Sequence, residues 1–295
     1  SCGDDDGGSV RNLDSSESSS GSGSSSSSAS ASGSSSGSSS ASAVASASAS
    51  ASGSGSASTA AGGPTADATA ADGGYAYASN IDSHRLVVLD ICDINAIVGD
   101  YKWSEISEIY ANGVNSVKSD GSVRTIGGFA AGEGKKHGLD TYYGTATPLN
   151  DFVSDALNGT GVWAGESDAV RKQGVQKGIM NQTMIAWVVH ELNSALAKAA
   201  DGNFDAASGA PHNWDEAWAF YHGSDPSCGP FATANKRAKD FGTQGVDGET
   251  ALANEGLLKA MNDGRDALLA GDEAGAIAAT RDAVKHVFIT YAQAT

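Results

Sequence analysis

From about residue 82 onward, apolar positions recur three and four apart, the spacing of helices that bury one face. The first such stretch runs from His84 to about Val98, where Val87, Ile91, Ile94 and Val98 form the stripe, and Asp82-Ser83 supplies a helix start. Trp103 to Ala111 predicts a second helix, and Pro148 to Leu157 a third that Asn158-Gly159 stops. Ser167 to about Ala200 is the longest periodic segment, with Ile185, Val188, Val189, Leu192 and Leu196 on its buried face and Gly202 as its stop. Further helices are predicted over 211–223, Phe231 to Phe241, Glu249 to Leu269 and Glu273 to Tyr291. Between them, Asn112 to Thr147 is Gly-rich and reads as irregular, with an exposed charged turn at Glu133 to Gly138. The pattern predicts an all-α fold, a bundle of about six to eight helices with one long irregular loop.

The stretch from Pro211 to Gly223 concentrates the chemistry. It holds His212 and His222, Asp215 and Glu216, and the aromatics Trp214, Trp218, Phe220 and Tyr221. On a helix, Trp214, Ala217, Trp218 and Tyr221 share one face, while His212 joins Asp215 (i, i+3) and Glu216 (i, i+4) on the wet one. One histidine and two carboxylates on adjacent turns suit a metal ion. A plainer explanation competes: Asn213 as N-cap, Glu216 at N3 as a capping box, and Asp215 favouring the helix dipole. His190 and Glu191 lie late in the long helix among apolar neighbours, as a paired core couple or as ligands. Asp90 and Asp93 sit i, i+3 in a strongly apolar helix, on a narrow solvated face or sharing a cation.

Composition divides the chain. Every aromatic residue lies at or after Tyr75, and residues 1–74 are mostly Ser, Ala and Gly, so 75–295 is read as the one folded domain and 1–74 as a tether without fixed structure. The 295 residues carry 35 acids against 18 bases, a net charge of −17 that argues against nucleic acid or an anionic membrane surface as partner. Cys2, followed by Gly3-Asp4-Asp5-Asp6, looks like the lipidated cysteine of a bacterial lipoprotein, which predicts a lipid anchor and an extracytoplasmic site. Cys92 and Cys228 remain as an even pair inside the domain, expected to be disulfide-bonded in an oxidising compartment. No Cys-x-x-Cys occurs, which argues against a thiolate zinc site.

Nucleophile elbows, zincin motifs, EF-hand loops and Walker sequences are absent, so the sequence reads as that of a binding protein rather than an enzyme. Three stretches carry a family resemblance: Gln173-Gly174-Val175-Gln176-Lys177-Gly178-Ile179, Trp187-Val188-Val189-His190-Glu191-Leu192, and Trp214-Asp215-Glu216-Ala217-Trp218-Ala219-Phe220-Tyr221. Together they resemble the low-iron-inducible periplasmic, iron-assimilating proteins of algae and their bacterial lipoprotein relatives. The resemblance implies a secreted or surface protein that binds ferric or ferrous iron and assists its uptake, handing it to a membrane transporter. The residues offer oxygen and imidazole donors for such an ion, with Asp90, Asp93, Glu191, His212, Asp215 and Glu216 as the candidate set. A structural or adhesive surface protein, even a homo-oligomer or fibre subunit with the Ser-rich tract as stalk, is the alternative. A helical di-metal enzyme is a third reading, which the lack of a repeated Glu-x-x-His pair disfavours.

Overall fold

In the computed structural model, residues 72–294 are described. Cys2 and the tether up to residue 71 lie outside them, while residues 72–74, read as the tether's end, are described with the domain. Among the described residues the fold is all-α, as the periodicity predicts, with isolated bridges at Val117–Val123 and Gln244–Ala251. No helix among the described residues is long and apolar enough to cross a membrane.

The described chain starts at Asp72 and runs as an arm to Ile81, leading into α1 (Asp82–Arg85) and α2 (Val87–Ile97). Then come α3 (Trp103–Asn112), α4 (Ile126–Ala130), α5 (Leu139–Tyr143), α6 (Pro148–Asn158) and α7 (Asp168–Lys177). A π-helical segment, Gly178–Met184, joins α7 to α8 (Ile185–Ala200), so the predicted long helix is continuous but changes its winding in the middle. It ends where Gly202 adopts a φ of +74°, the stop read from the sequence. The last four helices are α9 (Ala210–Tyr221), α10 (Pro230–Phe241), α11 (Leu252–Leu269) and α12 (Glu273–Ala294). Helices α4 and α5 fall in the stretch read as irregular. Each is only five residues long, too short to leave a periodic signal.

The bundle is built around α9. Every residue of that helix except Asn213 is buried, so the face read as wet is covered. It packs against α8, α11 and α1, and the arm lies along it. The Trp218 indole donates to the Asp72 carbonyl (3.1 Å), and Arg85 pairs with the Asp72 carboxylate (2.8 Å). On the other side, Arg265 of α11 donates to the Ala76 carbonyl (2.6 Å). Trp187, Phe129 and Phe220 form an edge-to-face cluster under α8, with centroids 4.7 and 5.0 Å apart.

Close packing of α9 on α11 depends on one glycine. A Cβ at Gly264 would stand 2.0 Å from the Trp214 ring, which is fully buried and held by its indole N–H to the Met261 carbonyl (2.8 Å). Neither partner has room to yield. Gly264→Ala is therefore expected to destabilise the protein by about 2–3 kcal/mol through overpacking, despite the better helix propensity of alanine. Urea denaturation checks it; an unchanged midpoint would contradict this packing.

Cys92 of α2 and Cys228, just before α10, are joined in a disulfide with Cα atoms 5.2 Å apart. It fastens α2 to the segment between α9 and α10.

Candidate metal centre

Helix α9 starts earlier than a capping reading requires. Gly209 is its N-cap, Pro211 occupies the first turn, and no side chain caps it. Asn213 is therefore inside the helix. Its amide donates to Glu191 Oε2 (2.6 Å) and more weakly to Glu216 Oε2 (3.5 Å). The capping-box explanation of Asp215 and Glu216 thereby lapses, because both carboxylates point away from the helix start into the protein.

Glu191 of α8 and Glu216 of α9 meet across the helical hairpin, where the Asn213 amide lies between them and donates to both. Two imidazoles converge on the second oxygen of Glu216: His84 Nε2 at 3.1 Å and His212 Nε2 at 3.2 Å. The four groups come from α1, α8 and α9. Each keeps 4–8 % exposure, whereas Asp215 and Tyr75 behind them keep none. All four are thus buried, and the small exposure they retain sets them nearer the surface than Asp215 and Tyr75.

Burial dominates its electrostatics. It pushes the Glu191 carboxyl well above the usual range, helped by the neighbouring Glu216 charge, and it raises Glu216 to about 7. It also holds both histidines below their ordinary value, His84 the more strongly, with the Arg124 charge second for His84. At neutral pH the site offers neutral imidazoles and a carboxyl pair that retains a proton. That is a donor set which a divalent cation completes by displacing the proton.

The remaining candidates have other work. Asp215 accepts four hydrogen bonds, from the Tyr75 hydroxyl (2.7 Å), the Ala78 N–H (2.9 Å) and the N–H and hydroxyl of Ser79 (both 2.7 Å). Burial lifts it to about 6 against the pull of these donors. Asp90 accepts from the N–H groups of Val114 and Asn115 and from the Asn115 side chain (3.2, 3.0 and 2.7 Å), and Asp93 takes the other Asn115 amide hydrogen (2.8 Å). These two acids fix the loop after α3, and no described contact joins them to the Glu216 cluster. His190 diverges from its neighbour Glu191: its Nδ1 accepts from the Lys136 N–H (2.8 Å), pinning the charged turn.

His84 and His212 flank Glu216 without all three ligand atoms coming within 4.8 Å of one another; among the described residues the group that does so is Cys92, Asp225 and Cys228. Its sulfurs are oxidised to a disulfide and have no thiolate to offer.

His84 is the member of the cluster that sequence reasoning passed over. It follows a plausible helix start, but nothing in its neighbourhood signals a partner on α9.

A family model described as low iron-inducible periplasmic protein matches residues 43–288. No curated protein matches the chain, and no solved structure does.

Proposed function

Because the chain belongs to the family of low iron-inducible periplasmic proteins, we propose that it binds iron outside the cytoplasm, at His84, Glu191, His212 and Glu216, and assists its uptake. The observation that carries this reading is the convergence of two neutral imidazole nitrogens on one oxygen of a paired, buried carboxyl. A purely structural cluster gains nothing by placing two acids together out of water, where each raises the other's energy. A cation makes the same arrangement favourable.

The donor set selects among ions. Two imidazoles with carboxylates suit ferrous iron, and the cluster holds no thiolate. The nearby phenol of Tyr75 is engaged by Asp215 and pushed far above its ordinary range by burial, so it supplies no phenolate for ferric iron. The role is capture rather than catalysis, with the loaded protein tethered through Cys2 at the membrane surface and delivering iron to a transporter there.

Anaerobic titration of metal-stripped protein with ferrous ion tests this. One ion per chain is expected, with uptake weakened at least tenfold in His84→Ala and abolished in Glu216→Ala. Equal binding by the parent and both variants would remove these residues from the site.

A further inference from the structure

We infer that Asp215, acting through the Ser79 hydroxyl, is a positioning residue that fixes the tautomer of His212 and so presents the Nε2 lone pair to the ion. The inference rests on the iron reading of the Glu216 cluster and names what sets one of its ligands.

Hydrogen-bond accounting leads to it. Asp215 Oδ2 receives the backbone N–H groups of Ala78 (2.9 Å) and Ser79 (2.7 Å), which can only donate, so this oxygen is an acceptor. The Ser79 hydroxyl lies 2.7 Å from the same oxygen and gives it its single hydrogen. That hydroxyl also lies 3.0 Å from His212 Nδ1. With its hydrogen committed to Asp215, the Ser79 oxygen has only lone pairs to offer, and Nδ1 must supply the hydrogen. A neutral imidazole has one N–H, so Nε2 is left bare. Nε2 is the nitrogen that stands 3.2 Å from Glu216 Oε1, so in the metal-free protein the Glu216 carboxyl supplies the proton of that contact, and an ion takes the proton's place.

The relay has the logic of a carboxylate that orients a histidine ligand from behind, with a serine interposed. It accounts for an acid that is adjacent to Glu216 in sequence yet faces away from it. It also gives the arm a role. Tyr75, Ala78 and Ser79 hold Asp215 from the side opposite α8, so the segment that leads into His84 also sets the second histidine.

Two measurements on the full chain decide the matter. Histidine ¹⁵N NMR of the metal-free protein reads the tautomer directly, and ferrous titration reads its consequence. His212 is expected to carry its hydrogen at Nδ1 in the parent and to lose that preference in Ser79→Ala, with affinity falling roughly 10- to 100-fold. Ser79→Thr, which keeps the hydroxyl, is expected to restore both. A parent with its hydrogen at Nε2, or a Ser79→Ala protein with parental tautomer and affinity, would overturn the inference while leaving the iron reading intact. A parent that shows the Nδ1 hydrogen but takes up no ferrous ion would overturn the iron reading, and with it the ligand half of the inference.

Discussion

Glu191→Gln is expected to abolish iron binding and at the same time to make the metal-free protein more stable. Glutamine has the shape of the glutamate, accepts from Asn213 through its oxygen, and has an N–H to offer Glu216 in place of a second acid. It removes one of two buried acids without leaving a cavity. Where Glu191 would ionise beside Glu216, a neutral glutamine removes the cost of a buried like-charge pair. The pH dependence fixes the sign. Glu191 and Glu216 both have folded-state values raised above their unfolded ones. Their contribution to stability is full below about 4.5, the unfolded value, and is lost as pH rises through their raised folded values, which for Glu216 lies at about 7. The neutral His84 and His212 act in the opposite direction below about 6.5, their unfolded value, so the total curve is a compromise. The difference between Glu191→Gln and the parent isolates the carboxyl pair. It is expected to widen from pH 5 to pH 8 in thermal melts of metal-free protein, and ferrous ion is expected to raise the melting temperature of the parent alone. A variant that is less stable than the parent at pH 8 would show that Glu191 serves the fold instead.

Removing the disulfide is expected to have the largest effect on the fold itself. The bond spans 136 residues of sequence, and a loop of that size corresponds to about 5 kcal/mol in the chain-entropy account. That is comparable to the whole stability of many domains. The Cys92→Ser, Cys228→Ser double variant should therefore unfold at much lower urea, or fail to accumulate folded. Its local consequence follows from position. Cys92 lies on α2, directly after the helix that carries His84, so the bond also holds that imidazole against α9. Where the double variant still folds, its ferrous affinity should fall below the parent's. A denaturation midpoint within error of the parent would contradict the structural weight given to this bond.

How much of this was legible in the sequence depended on sequence distance. The α8–α9 hairpin was readable because long apolar periodicity marks both helices, and Glu191, His212 and Glu216 stood out as polar groups on them. Their register was harder. Asn213-x-x-Glu216 imitates a capping box, and only the earlier start at Gly209 and Pro211 shows that Asn213 lies inside the helix and serves the two glutamates. The face carrying Asp215 and Glu216 read as solvated because no local pattern reveals that an aperiodic arm, 72–81, covers it. Ser79 and His84 belong to that arm and to the short helix after it, so their meeting with α9 is a tertiary fact. Asp90 illustrates the converse. An acid in an apolar helix suggested a cation, and its compensation turned out to be three hydrogen bonds from Val114 and Asn115, in a loop with no periodicity to read.

The most direct test of the iron site is a crystal of the chain grown with ferrous ion under nitrogen, with diffraction recorded on both sides of the iron absorption edge. The account predicts one anomalous peak about 2 Å from His84 Nε2, His212 Nε2 and a Glu216 oxygen, the bond length of first-row divalent ions to such donors. A peak elsewhere, such as beside Asp90 and Asp93, or none at all, would contradict it.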